Sequence, residues 1–449
     1  MEVKDTLSST MKTVETREGK RMNMFVCGPT VQDRPHMGHA RTYVFYDVLA
    51  RYLRYKGIRL FYLMNITDIE DHIITKMQET GRSWEDITTS YSSEFFEIMR
   101  RLKNNSVNYY AFATDYIKEI IEQILKLIEK GYAYKISDGI YFRVRKFKDY
   151  GNLSKQNLDE LRAGARVEVR EEKEDPLDFA LWKMKKEGEP SWPSPWGDGR
   201  PGWHIEDTAI TESIFGPQYD IHGGAKDLIF PHHESEIAQM EAVSGKKPIV
   251  RYWIHTGHLN VDDIKMSKSL KNFVTVEDAL RSYWPEAIRI MMLSMKYSAA
   301  VNFEEKAAID AQGNAERISI LYHRVSGVPE IRSDWALEMT GRIFAPLEND
   351  MNTPEVVREI ISFVKDSLAR NKLSEQEKGE ILYVLRQIEA VFGIVHTVPL
   401  PDKSMGIILK MRNESRKKGD YDSADMIRDT LKSLGVHIED TSEGSYLWW

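Results

Sequence analysis

The chain has 449 residues, 42% hydrophobic and 29% charged, with a formal net charge of −7. At roughly 100–200 residues per domain, this length predicts two to four folded units. No apolar run is long enough to cross a bilayer, the N-terminal stretch lacks the apolar centre of a signal peptide, and a cytoplasmic location is expected. The acidic balance excludes a protein that coats nucleic acid over its whole surface, but leaves room for local basic patches. The single cysteine, Cys27, excludes an internal disulfide.

Residues 23–27 form a short apolar run closed by Gly28 and Pro29, which predicts a buried strand. From His39 to Lys56 the apolar residues recur at helical spacing, and Arg59–Met64 reads as the next strand. Strand, loop, helix, strand is the opening of a nucleotide-binding parallel sheet. Residues 71–99 and 113–130 are expected to be helical, and Gly139–Val144 to be a strand within an inserted segment. Residues 165–190 are strongly charged, and 191–202 read as a loop held by Trp, Pro and Gly. Strands resume near Tyr219–His222 and Tyr252–Thr256. The pattern is helical from about 300 to 396, and a Pro-rich break at 398–401 precedes a last small unit.

Three constellations carry chemistry. His36-Met37-Gly38-His39 lies in the first strand-to-helix loop, where backbone N–H groups of a helix start attract anions and imidazole N–H groups can stabilise phosphoryl oxygens. Two surface histidines beside a turn are the plainer reading. Lys265-Met266-Ser267-Lys268-Ser269 sets two lysines around small hydroxyl residues, as a closing phosphate loop would or as an ordinary basic surface loop does. In Phe230-Pro231-His232-His233-Glu234-Ser235-Glu236, Pro231 suits a first helical position and His232 and Glu236 share a face. That spacing serves a metal, or a solvated helix face, which is the usual fate of such pairs. Cys27, at the carboxyl end of the first strand, reads as a small buried hydrophobe or as a third ligand.

The first two motifs together resemble the HIGH and KMSKS signatures of class I aminoacyl-tRNA synthetases. Longer segments resemble cysteinyl-tRNA synthetases: Cys27–Val31, Asn65–Ile69, Gly199–Glu206, Asp220–Gly224 leading into Phe230–Glu234, and near the end Ala424–Asp429 and Gly435–Thr441. The resemblance implies an α/β architecture. A Rossmann-like parallel-sheet catalytic domain with an insertion is followed by an all-α bundle and a small C-terminal domain. The expected division is 1–115 and 191–260 for the catalytic halves, 116–190 for the insertion and 261–300 for the region of the second signature. Residues 301–396 would form the bundle on the anticodon side, and 400–449 the terminal anticodon-binding unit.

The implied function is ATP-dependent activation of L-cysteine and its transfer to the 3′ end of tRNA(Cys). His36 and His39 would stabilise the reacting phosphate, and Lys265 and Lys268 the pyrophosphate. Gly38, Asp227 and Lys268 would bind ATP with Mg²⁺, and Thr67 and Trp203 would line the substrate pocket. One Zn²⁺ held by Cys27, His232 and Glu236 would recognise the substrate thiol. Serine and cysteine differ by one atom, and shape discriminates such pairs weakly, whereas zinc prefers a thiolate. The implied partners are tRNA(Cys), L-cysteine and ATP, with no membrane and a monomeric chain.

The sequence departs from the family at Asp207, where a cysteine ligand is usual; an aspartate oxygen can take that place and make a harder, weaker zinc site. Ile264 and Lys271 stand where glycines usually flank the second signature. Arg412, Arg416, Lys417 and Lys418 form a basic cluster in the last unit, and Tyr446, Trp448 and Trp449 are candidates for stacking on bases or for a small core. Ala424, Ile427, Leu431 and Leu434 mark the apolar face of the final helix. Two alternatives accompany this reading: a ligase of the mycothiol type that joins cysteine to an amino sugar, and a non-catalytic RNA-binding paralogue.

Overall fold

The computed structural model describes residues 1–157, 172–261, 264–265, 274–397, 403–433, 436–441 and 444–448. They divide into two compact units, the first formed by Met1–Ala279 with Tyr297–Phe303 and Asn349–Met351, the second by the remainder.

The first unit opens with a hairpin, β1 (Glu2–Lys4) and β2 (Met11–Thr13). Its centre is a five-stranded sheet: β3 (Arg21–Val26), β4 (Arg59–Ile66), β5 (Tyr109–Phe112), β10 (Tyr219–Ala225) and β11 (Val250–Thr256). Their spatial order is β11-β10-β3-β4-β5 and every pairing is parallel. Central strands covered on both faces need continuous apolar runs, and Met24, Phe25 and Val26 supply one, each fully buried. The chain order reverses between β3 and β10. Such a switch point opens a crevice at the carboxyl ends of the strands, where ligands bind in doubly wound sheets.

Helix α1 (Met37–Tyr55) follows β3, with Val44, Val48 and Leu49 buried, and leads into β4. The expected helix over 71–99 is two, α2 (Asp71–Thr80) and α3 (Trp84–Arg101). Gly81 ends the first in a left-handed conformation (φ 67°), and the Ser83 hydroxyl caps the second by accepting from the Asp86 N–H at 3.1 Å. α4 (Ile117–Glu129) is strongly amphipathic, burying Ile120, Ile124 and Leu127.

A second sheet, four-stranded and antiparallel, forms where the sequence predicts a single strand over Gly139–Val144. β6 (Ala133–Ile136), β7 (Gly139–Phe142), β8 (Phe179–Met184) and β9 (Gly199–Pro201) are adjacent in that order. β8 escaped notice because its six residues sit inside a charged stretch, and β9 because its three residues are Gly, Arg and Pro. Fully buried Trp182 of β8 anchors the sheet, with the Trp196 ring tilted against it, centroids 6.2 Å apart.

α5 (Trp203–Phe215) leads to β10, and α6 (Glu234–Ser244) to β11. Pro231 does not start α6. It belongs to a wide turn over Ile229–His233 in which Phe230 is extended, and the regular helix begins three residues later. β12 (Leu259–Val261) pairs with β13 (Ile264–Lys265) and β14 (Val301–Asn302).

The second unit is helical as expected. After α7 (Val276–Ser282) come α8 (Pro285–Leu293), α9 (Glu305–Val325), α10 (Asp334–Phe344), α11 (Thr353–Leu368) and α12 (Glu375–Phe392). Ser374 and Glu377 form a reciprocal cap at the start of α12, and Gly393 closes it in a left-handed conformation. The chain then forms α13 (Lys403–Lys417), α14 (Tyr421–Ser433) and an antiparallel hairpin, β15 (His437–Thr441) with β16 (Gly444–Trp448). Ala424 and Leu431 are buried as the apolar face of α14 requires; Leu434 lies outside the described residues. Arg412 is not a free cation for RNA: it is buried and gives a forked pair of hydrogen bonds to Asp440, one of 2.6 Å, and Arg416 pairs with the same carboxylate.

Candidate active site and metal centre

A cavity of about 270 Å³ lies at the carboxyl edge of the parallel sheet. Cys27 follows β3, Asn65 and Thr67 close β4, Ala225 ends β10 and Gly257 follows β11, and all line it. The crevice that the switch point predicts is therefore the one the side chains furnish.

The rim is built at the start of α1. His36 is the helix N-cap; its Nδ1 accepts from the Gly38 N–H at 3.1 Å, while the His39 Nδ1 accepts from the His36 N–H at 3.2 Å. The two rings stack, 4.0 Å apart. Because each Nδ1 accepts from backbone, the proton of each neutral ring sits on Nε2. The rim thus offers imidazole donors beside a helix N-terminus, the combination that favours phosphate. Asp227 and His258 face each other across the same wall at 3.8 Å.

The second signature returns to this rim at both ends. Lys265 lies on β13, beside β12, whose Leu259 lines the cavity. Beyond it, the Val274 carbonyl accepts from the Met37 N–H at 3.0 Å and the Val276 N–H donates to Pro35 at 2.9 Å. Lys268 and Lys271 lie outside the described residues.

The floor is buried. Cys27, Asp207, His232 and Glu236 are 1–5% exposed, and one donor atom from each lies within 4.8 Å of the others. Cys27 Sγ is 3.3 Å from Asp207 Oδ2 and 4.0 Å from Glu236 Oε1; His232 Nε2 is 3.0 Å from each carboxylate. Metal–ligand bonds of about 2.0–2.3 Å set tetrahedral edges of roughly 3.3–3.8 Å, so these four donors fit a four-coordinate divalent cation. His232 and Glu236 come from the wide turn and α6 rather than from one regular helix. Asp207 stands in the second turn of α5, where its other oxygen accepts from Asn65 Nδ2 at 2.6 Å.

Electrostatics single out the same cluster. Burial, then the Asp207 and Glu236 charges, push the Cys27 thiol well above its ordinary range. Burial disfavours a charged His232, yet Glu236 and Asp207 outweigh it and hold the imidazole up to about 9. Burial pushes Glu236 up as well. A divalent ion among these groups turns their mutual repulsion into attraction. Trp203 stacks on His232 at 4.2 Å and lines the cavity beside Thr67. His204 Nδ1 meets His232 Nδ1 at 2.9 Å, which leaves His232 Nε2 directed at the carboxylates.

Every site residue expected from the sequence that the structure describes with its side chain lies on this cavity or directly beneath it, Glu236 being the one beneath. Sequence reasoning missed Asn65, His204, His222, His233 and His255. Asn65 ends a strand at the ligand edge, a usable signal; the histidines gather only through long-range packing.

Comparison with known proteins agrees with this geometry. The family model described as the catalytic domain of class I (C) tRNA synthetases matches residues 13–313. The cysteine–tRNA ligase of Thermoplasma volcanium is 45% identical over 457 aligned residues, covering 100% of both chains. The same-named proteins of Thermoplasma acidophilum and Geobacillus thermodenitrificans are 47% and 40% identical, covering 99% and 98% of this chain and 99% and 97% of theirs. Among solved structures, Mycobacterium tuberculosis methionyl-tRNA synthetase in complex with methionyl-adenylate superposes with a TM-score of 0.60 at 14% identity, covering 83% of this chain and 92% of that one. An Agrobacterium radiobacter leucyl enzyme in a ternary complex gives 0.63 at 11%, covering 84% of each chain. The fold is thus that of class I synthetases, and the chain belongs to the class I (C) tRNA synthetase family of the cysteine–tRNA ligases.

Proposed function

We infer that the chain activates L-cysteine with ATP and transfers it to the 3′ end of tRNA(Cys). The observation that carries this is the two-ended cavity: imidazole donors at a helix N-terminus on its rim, a thiol–imidazole–carboxylate cluster at its floor. A substrate bridging the two would set its α-carboxylate near His36 and His39 and its side chain against Cys27, Asp207 and His232.

In this reading the Nε2–H groups of His36 and His39 stabilise charge growing on the α-phosphate, and Gly38 lets the backbone approach it. Asp227 accepts from the ribose hydroxyls of ATP. Lys265 and Lys268 neutralise the leaving pyrophosphate, whose charge Mg²⁺ shares. Cys27, Asp207, His232 and Glu236 hold one Zn²⁺. Bound there, zinc supplies affinity for a thiolate over a hydroxyl. Trp203 and Thr67 close the sides of the pocket around the substrate side chain. The chain acts as a cytoplasmic monomer, with 1–115 and 191–260 as catalytic halves, 116–190 as insertion, 261–300 around the second signature, 301–396 as bundle and 400–449 as anticodon unit.

Neither alternative is favoured, since the cysteine–tRNA ligases match this chain along its whole length. Charging of total tRNA with labelled cysteine, and serine in parallel, tests the reading. Attachment of cysteine alone is expected; attachment of neither amino acid overturns it.

A further inference from the structure

Two fully buried histidines beside the floor cluster take no part in the proposed ligand set. His233 Nε2 lies 3.1 Å from Cys27 Sγ. His222 Nε2 lies 3.5 Å from the same sulfur and 3.4 Å from Glu236 Oε2. Their other nitrogens are engaged too. The Tyr219 hydroxyl is 2.7 Å from His222 Nδ1. His255 Nε2 is 2.8 Å from His233 Nδ1, and the Thr6 hydroxyl is 2.7 Å from His255 Nδ1. Trp253 stacks on the His222 ring at 4.3 Å.

A ligating thiolate and an ionised carboxylate only accept hydrogen bonds. With the ion on the cavity side, a bare imidazole nitrogen facing that sulfur would be repelled. Both Nε2 atoms must then carry their ring's proton, so both Nδ1 atoms accept. Tyr219 donates to His222. Thr6 donates to His255, which donates to His233. One arrangement of protons satisfies every contact with all three rings neutral, and burial favours neutral rings.

We propose that His222 and His233 are positioning residues that donate N–H···S hydrogen bonds to the metal-bound Cys27 thiolate, with His222 sharing its proton with Glu236. Tyr219 and the Thr6–His255 pair fix the ring tautomers that make this possible. The proposal rests on reading Cys27 and Glu236 as ligands. The two donors stabilise a sulfur charge that burial opposes, in a site with one protein thiolate. The reverse proton arrangement would instead make the two Nε2 atoms ligands, since Cys27, His222, His233 and Glu236 also have donor atoms within 4.8 Å. That arrangement draws the ion away from Asp207 and His232, which line the cavity, and so away from a bound substrate.

Cobalt-substituted full-length protein separates these cases. X-ray absorption of the unaltered protein should count one imidazole nitrogen on the metal. His222→Phe and His233→Phe should keep that count, move the thiolate-to-cobalt absorption to longer wavelength and weaken cobalt binding about tenfold, the lower end for outer-shell partners. Tyr219→Phe and Thr6→Val leave every ligand and imidazole in place; they should shift the band the same way by less, and they keep the test valid if a histidine variant fails to fold. A nitrogen count of two or more that falls in His222→Phe, or a band unmoved in the variants that fold, overturns the proposal. Absence of any thiolate-to-cobalt band in the unaltered protein overturns the ligand reading itself, and this proposal with it.

Discussion

The two ends of the cavity are built in opposite ways. At the rim, His36 and His39 are organised by their own helix start, through hydrogen bonds spanning two and three residues. At the floor, Cys27, Asp207, His232 and Glu236 arrive from β3, α5, the wide turn and α6, and meet only once the sheet is assembled. The rim therefore works by backbone geometry and half-buried donors. The floor works by concentrating charge where water cannot screen it. A change at the rim should cost rate and leave the fold intact, whereas a change at the floor should cost metal, specificity and local stability together.

Ligand removal should break the contrast most sharply. Cys27→Ser or His232→Ala is expected to lower metal affinity by at least a hundredfold, beyond the usual range for outer-shell partners, as read by chelator competition. His39→Ala should cut the rate of adenylate formation by on the order of 10²–10³ with little change in metal content or in KM for cysteine, as loss of one donor to a developing oxyanion does. Gly28→Ala probes the join between the two ends. Its Cβ would sit 1.7 Å from the Asn65 carbonyl oxygen, so the β3 and β4 ends must part, at a cost of about 3 kcal/mol in denaturant unfolding.

A smaller effect concerns pH. Burial, partly offset by hydrogen bonds from Thr114, raises Asp68 beside the pocket to about 6. The folded state then binds its proton more tightly than the unfolded chain does. Its contribution is fully present below about pH 4 and lost as pH rises through 6, on the order of 2 kcal/mol. Stability measured across that window should fall with pH, and Asp68→Asn should flatten the slope. Smallest of all, Asp207→Cys should tighten zinc binding and raise the preference for cysteine over serine by about tenfold. No change in either would remove Asp207 from the ligand set.

Much of this was legible in the sequence, for reasons that track locality. The rim motif, the strand ending at Cys27 and the strand–helix–strand opening of the parallel sheet follow from short-range pattern, because apolar runs and helix starts are local. The four floor ligands were reached through resemblance; spacing alone left His232 and Glu236 open between a metal and a solvated face, and it placed Pro231 at a helix start that the wide turn displaces. In the antiparallel sheet, β7 was expected but β8 and β9 stayed hidden, because strands of three to six residues inside charged or Gly/Pro-rich stretches carry too little periodicity. The histidines around Cys27 were invisible for a deeper reason: His222 comes from β10, His233 from the wide turn and His255 from β11, and only the assembled fold sets the first two against the sulfur and the third behind His233.

On the proposed function, the floor cluster makes a cysteine-activating site. Amino-acid-dependent ATP–pyrophosphate exchange, measured on metal-loaded and chelated protein with cysteine and with serine, tests it most directly. Exchange with cysteine that disappears on chelation and returns with zinc, with little exchange for serine, is the predicted result. Exchange that is indifferent to metal, or equal for the two amino acids, would contradict it.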